Sequence, residues 1–209
     1  MSQNLPPWDS PEVHAARTPW TRVRHETVFE NPWLRIESHD AIAPTGKPAH
    51  YGVVRFRNRA IAVLPLHDDG TVTLVGQMRY AIFGHSWEIP EGGVPDGEPL
   101  HTGAMRELTE ETGLIAGEMF QILEMDMSNS VTDEVATCFL AMDLSQGETA
   151  PDETEQFEYA RVPFSHLLKA VINGQVRDSL TVACALRVHH MAVTGALAPH
   201  LCEAVLRQG

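Results

Sequence analysis

Two glutamates, Glu107 and Glu111, stand four residues apart in a stretch whose composition predicts a helix from about Pro99 to Thr112. Side chains four apart on a helix point the same way, one turn from each other. At about 100° per residue, the two acids fall at about -20° and +20° relative to Leu100, while Ala104 and Leu108 fall at about 40° and 80°. The acids therefore share the apolar arc, whereas a solvated acidic face would set them opposite the leucines. Like charges at this spacing repel by about a few tenths of a kcal/mol when exposed and by more when partly buried. An opposing charge is expected. A hard divalent cation held by carboxylate oxygens supplies it, and Mg²⁺ is commonly held by one or two carboxylates plus substrate phosphates. Glu110, about 60° from Glu107 on the same wheel, can add a ligand through water. Arg106, beyond it, is placed to orient these carboxylates.

These residues belong to a longer pattern. Gly92, five residues, Glu98, seven residues, then Arg106-Glu107-Leu108-Thr109-Glu110-Glu111-Thr112-Gly113-Leu114 resembles the Nudix box at every fixed position. That box reads G-x5-E-x7-R-E-U-x-E-E-x-G-U, with U a bulky apolar residue. The resemblance implies an α+β protein with the Nudix α/β/α sandwich and a mixed sheet. It also implies roles. Glu107 and Glu111 ligate Mg²⁺ or Mn²⁺, Glu91 adds its backbone carbonyl, and Glu98 anchors the loop to the helix. The reaction is attack of water on a phosphorus, with the metals neutralising developing charge and positioning the water.

The flanking segments Gly76-Gln77-Met78-Arg79-Tyr80 and Trp87-Glu88-Ile89-Pro90-Glu91-Gly92 resemble the ADP-ribose pyrophosphatase and nucleotide-sugar hydrolase branch. In that branch the arginine matching Arg79 meets substrate phosphate, and Glu88 is its companion in the substrate site. The branch exchanges an N-terminal β element across a homodimer. Arg55, Arg57 and Arg59 form a local basic cluster, from which Arg57 is the candidate to reach a partner's substrate, with an exposed strand face as the alternative. The family activates water with a loop glutamate. Asp152-Glu153-Thr154-Glu155-Gln156 resembles that loop, so Glu153 or Glu155 is the expected general base. Asp133-Glu134 competes, with Glu134 able to contact substrate or a further metal instead. ADP-ribose enzymes of the branch commonly carry a proline beyond the box, where Asn129-Ser130 stands here. The expected substrate is thus a nucleoside diphosphate sugar, ADP-ribose first, giving AMP and ribose 5-phosphate. Other NDP-sugars and damaged nucleoside triphosphates are the alternatives, and a non-catalytic nucleotide-binding module is disfavoured by the intact box. Phe29, Trp33 and Trp87 are candidates for stacking on a base or for ordinary packing.

The elements that must position these groups follow from periodicity and turn residues. Residues 1–22 hold several prolines and predict a loose arm. Strand-like stretches at Arg24–Phe29, Trp33–Ser38 and Tyr51–Arg57 predict a small antiparallel element over residues 23–58, dimer-forming by the resemblance. Residues 59–209 form the hydrolase domain. There, Ala60–Leu66 and Thr71–Met78 read as a hairpin around Asp69-Gly70. The glycine-rich segment Glu91–Gly97 reads as a break. Pro99 suits the first turn of the following helix and Gly113 its end. Met119–Met125, Val135–Met142 and Phe157–Val162 are further strands. A helix starts near Pro163, and another is capped by Asp178 or Ser179 and runs to about Val193, with a helical tail over Pro199–Arg207.

Composition bounds the rest. A chain of 209 residues with 43% hydrophobic content can bury a real core. A formal net charge of -13 argues against general affinity for nucleic acid, which rests on Lys and Arg neutralising phosphates. No apolar run approaches the roughly 20 residues needed to span a bilayer. The start of the chain lacks the basic-then-apolar layout of a signal peptide. Three scattered cysteines suit a reducing compartment. The expectation is a cytoplasmic homodimer acting on a small nucleotide, with no nucleic-acid or membrane partner.

Overall fold

The computed structural model describes residues 17–149 and 156–207. Two units are distinguished: residues up to Phe56 with Ser130–Asp133, and Arg57–Asn129 with Glu134 onward.

The first unit is an antiparallel sheet of β1 (Thr21–Glu30), β2 (Leu34–Ile42) and β3 (Pro48–Phe56), in that order. Asn31 makes the first turn by accepting the backbone N–H groups of Trp33 and Leu34 on Oδ1, at 2.9 and 2.8 Å. The short segment 130–133 lies along β3, with Val54 N–H donating to the Val131 carbonyl at 2.8 Å. On β2 and β3, buried Glu37 draws in His39 and Arg55, and Arg55 also bonds Asp133 at 2.7 Å.

The second unit is built on a four-stranded mixed sheet ordered β7 (Glu91–Val94), β4 (Arg59–Pro65), β9 (Val135–Gln146), β8 (Leu114–Asp126), in which β4 and β9 run parallel. Because β4 and β9 are central, both their faces are buried and their sequences are near-continuously apolar. Ile61, Val63, Phe139 and Ala141 pack on Ala104 and Leu108 of helix α1 (Leu100–Thr112). Ala62, Leu64, Cys138 and Leu140 pack the other way, with α2 (Phe164–Ile172), α3 (Ser179–Val193) and α4 (Pro199–Leu206). The result is a mixed sheet with helices on both faces, the α+β sandwich expected. A second sheet, β10 (Glu158–Pro163), β5 (Thr71–Arg79), β6 (Gly84–Glu88), contributes Val72 and Leu74 to the larger core cluster.

Two expectations are corrected. The segments read as a hairpin, β4 and β5, do meet at a tight turn, with Gly70 at φ +81 and His67 N–H bonded to the Thr71 carbonyl. They share only the bridge Leu66↔Val72 and then enter different sheets. The reason is burial: both edges of β4 are taken by β7 and β9 and both its faces by helices, so β5 pairs instead with β6 and β10. The glycine-rich break is in its first half a strand, β7, paired to β4 through Ile61↔Gly92 and Ala60↔Gly93. The glycines leave room for side chains: a Cβ on Gly92 would overlap the carboxyl group of Glu107 and push it aside, and one on Gly93 would lie 2.8 Å from Asn58 Nδ2.

Candidate active site

Helix α1 presents the box. Pro99 stands at its N-cap and Gly113, at φ +70, ends it in the left-handed conformation. Leu108 and Ala104 are fully buried, and Glu111 beside them is only 3% exposed. The Glu107 side chain is 14% exposed, and that of Glu110 38%. Glu107 and Glu111 thus sit on the inward arc, with Glu110 at its solvent-facing margin. Glu107 lies against Gly92, and Glu111 Oε2 accepts the backbone N–H of Glu91 at 3.3 Å.

Arg106 gathers the surrounding acids. Its NH1 donates to Glu107 Oε1 at 2.7 Å and to Glu110 Oε2 at 2.9 Å, while NH2 reaches Glu98 Oε2 and the Gly93 carbonyl, at 3.3 and 3.4 Å. It thereby ties the loop carrying Glu98 to the helix. Burial works against its charge, but the hydrogen bonds to Glu98 and Glu107 outweigh that and hold the guanidinium more firmly protonated than usual.

Arg79, at the end of β5, donates to both oxygens of Glu88 through Nε, at 3.1 and 3.0 Å, and through NH2 to Glu88 and Glu91. Glu88 is 3% exposed. Carboxylate oxygens of Glu88, Glu91 and Asp178 lie within 4.8 Å of one another. Asp178, read from sequence only as a helix cap, does cap α3, accepting Thr181 N–H at 2.7 Å. Thr181 Oγ1 in turn accepts the N–H of Ile89 at 3.0 Å, between the two glutamates. Burial, then the charges of Asp178 and Glu88, push the Glu91 carboxyl well above the usual range, against the pull of Arg79. Burial and the Glu111 charge likewise raise the Tyr159 phenol.

Two adjoining clefts share this acidic wall. The larger, about 580 Å³, lies between the β5–β6 turn (Ala81, Ile82, His85) and the approach to α3 (Gln175, Arg177). The smaller, about 250 Å³, is lined by Gly92, Met127 and Glu134. Both are lined by Arg79, Glu91 and Asp178.

The structure therefore brings together Arg79, Glu88, Glu91, Gly92 and Glu134 around these clefts, with Glu107 and Glu111 against the same strand. Arg57 is exposed and is not among the lining residues. Glu153 and Glu155 lie outside the described residues. Trp87 packs on the core and edge-on to His85, while Trp33 and Phe29 are exposed on the first unit. Sequence reasoning missed the cleft role of Asp178 and Arg177, because no local signal tells which distant strand a helix start will face.

The donor set suits a hard divalent cation. Hard cations take carboxylate and carbonyl oxygens, and here Glu91 Oε2 is shut off from solvent with no hydrogen-bond partner. A buried carboxylate oxygen left this way is costly unless a cation or proton meets it.

A family model described as a NUDIX domain matches residues 56–182, and one described as a nucleoside diphosphate sugar hydrolase N-terminal domain matches residues 17–54. The chain belongs to the Nudix hydrolase family. Among its Nudix relatives, the ADP-ribose pyrophosphatase of Bacillus subtilis is 32% identical over 161 residues, covering 76% of this chain and 86% of that one. The ADP-sugar pyrophosphatase of Mus musculus is 28% identical over 186 residues, covering 80% and 84%. A crystal structure of an ADP compounds hydrolase shares the fold, with a TM-score of 0.76 at 22% identity over 85% of this chain and 97% of that one.

Proposed function

We propose that this Nudix hydrolase cleaves the pyrophosphate bond of a nucleoside diphosphate sugar, ADP-ribose before others, to AMP and ribose 5-phosphate, with Mg²⁺ or Mn²⁺. The observation that carries the reading is the inward pair Glu107 and Glu111, set against Gly92 and the Glu91 N–H at the edge of the clefts. The names of the relatives support the choice of substrate class.

Glu107 and Glu111, with the Glu91 carbonyl, would hold the cation, and Glu110 would add a ligand through water. A cation held there would supply positive charge against that developing on the phosphates and would lower the pKa of a water it held. Arg106 fixes the rotamers of Glu107 and Glu110 and, through Glu98, the loop that enters the helix. Arg79 and Glu88 form the phosphate-facing pair of the substrate site, since a guanidinium meets phosphate oxygens in a fixed fork; Glu134 lines the smaller cleft together with Arg79. The proton of the attacking water goes to Glu153 or Glu155, on the segment preceding β10. Attack forms a P–O bond to water oxygen and breaks the P–O bond to the bridging oxygen, which leaves on the other product.

The same reading gives residues 1–22 as an arm, 23–58 as a dimer-forming β element and 59–209 as the hydrolase domain. Exposed Val23, Val28 and Phe29 on β1 support a homodimer, with Arg57 serving the partner's substrate. The cysteines are free, and no helix among the described residues is long and apolar enough to cross a membrane, which supports a cytoplasmic setting.

The test is a substrate panel with Mg²⁺: ADP-ribose, other NDP-sugars, dinucleotides and nucleoside triphosphates, with products separated by anion exchange. ADP-ribose turning over best, to AMP, is the expected result. Preference for triphosphates would move the assignment to a nucleotide-pool role, and no turnover of any would sink the enzyme reading.

A further inference from the structure

The segment leading into α3, Gln175-Val176-Arg177, has one residue in the core and two outside it. Val176 is buried in the larger core cluster, and the N–H groups of Gln175 and Val176 both donate to the Ala170 carbonyl in the last turn of α2, at 2.8 and 3.2 Å. That anchor leaves Gln175 and Arg177 exposed, and both line the larger cleft.

Charge pairing in this cleft is uneven. Of its acids, Glu88 and Glu91 are bonded by Arg79, and Asp178 accepts the Thr181 N–H. Arg177, next to Asp178 in the chain, makes no ion pair or side-chain hydrogen bond among the described residues. Its donors are uncommitted although three carboxylates line the same cleft. A phosphate approaching the shared wall is repelled by those carboxylates, two of which already occupy Arg79. Arg177 is the cation left to receive it, in the paired fork that suits phosphate oxygens.

Size separates the two clefts. Sites for small organic ligands run from about 300 to 1,000 Å³. The larger cleft, at about 580 Å³, is of that kind, and Ala81 and Ile82 give it an apolar part. The smaller, at about 250 Å³, falls below that range, and its lining includes Gly92, against which Glu107 lies. The attacked phosphorus thus belongs with the smaller cleft and an organic half of the substrate with the larger.

We propose that the larger cleft is the leaving-group subsite, in which Arg177 binds the departing phosphate while its organic substituent lies along Ala81 and Ile82. This subsite rests on the pyrophosphate reading above. Water oxygen bonds to the phosphorus on the smaller-cleft side, and the water's proton goes to the loop base. The bridging oxygen departs with its electron pair on the second phosphate, which gains a negative charge. Arg177 meets that charge. The departing half is a phosphate monoester, AMP or ribose 5-phosphate, according to which phosphorus water attacks.

The test pairs an isotope measurement with a binding measurement on the full-length protein. Hydrolysis of ADP-ribose with Mg²⁺ in water enriched in the heavy oxygen isotope, read by mass spectrometry, marks the attacked half, so the unmarked product is the departing one. Calorimetric titration of AMP and of ribose 5-phosphate into wild type and Arg177→Gln then finds which product the guanidinium holds. The unmarked product should bind Arg177→Gln at least about tenfold more weakly than wild type, and the marked one should bind both alike. Arg177→Lys should recover part of the loss, since an ammonium keeps the charge without the fork. Unchanged binding of both products, or weaker binding of the marked one, would overturn the subsite. If ADP-ribose is not hydrolysed, the substrate reading fails by itself. The phosphate-binding role of Arg177 then stands if one monoester is lost in Arg177→Gln and falls if both or neither are.

Discussion

At the scale of single residues, the box reads out its own geometry because its members are local. Glu107 and Glu111 were placed inward by helical angle alone, and the burial of Glu111 beside Leu108 agrees. Arg106 was expected to orient carboxylates, and it bonds Glu98, Glu107 and Glu110. Arg106→Ala should therefore destabilise the fold by about 1–3 kcal/mol, since it strips charged hydrogen bonds from partly buried acids. Denaturant unfolding checks this, and Arg106→Lys should recover only part, because an ammonium cannot span three carboxylates as a planar fork does. Asp178 was legible as a helix cap and not as a neighbour of Glu88. The two are brought together by tertiary packing through Thr181 and Ile89, which leaves no mark on local spacing.

At the scale of elements, the helices are legible where a proline or a capping residue opens them, and the strands where apolar or β-branched runs stand between turn residues, as in β4 and β9. Partners are less so. The Asp69-Gly70 turn is legible in the sequence, yet β4 and β5 part after one bridge because β4 needs both its edges for the central sheet. Sequence shows a turn; it does not show which sheet each arm will join. The helix-to-sheet layer makes Leu108→Ala, at a fully buried site, cost about 2–5 kcal/mol by denaturant unfolding. The same turn carries a pH dependence. The hydroxyl and backbone N–H of Thr71, with Arg161 behind them, hold the Asp69 carboxyl at about 2, below its ordinary 3.8. A lowered carboxyl contributes stability above its unfolded-state value and loses it as pH falls through the folded one. The Tm difference between wild type and Asp69→Asn should thus be full above about pH 4 and close as pH falls toward 2. An unchanged difference across that range would remove Asp69 from acid sensitivity.

At the scale of the molecule, family membership rests on a domain match over residues 56–182 together with an intact box. The proposed homodimer makes a simple statement: sedimentation equilibrium should return twice the chain mass of 23.1 kDa. A clean monomer would remove the exchanged element and the role given to Arg57. The central claim is metal-dependent cleavage of a pyrophosphate link through Glu107 and Glu111. It is tested most directly by incubating ADP-ribose with Mg²⁺ and the wild-type chain, then with excess chelator, then with Glu111→Gln, and quantifying AMP by anion exchange. The account predicts AMP from the first mixture, none with chelator, and at least about a hundredfold less from a folded Glu111→Gln variant. Undiminished AMP with chelator, or from that variant, would contradict it.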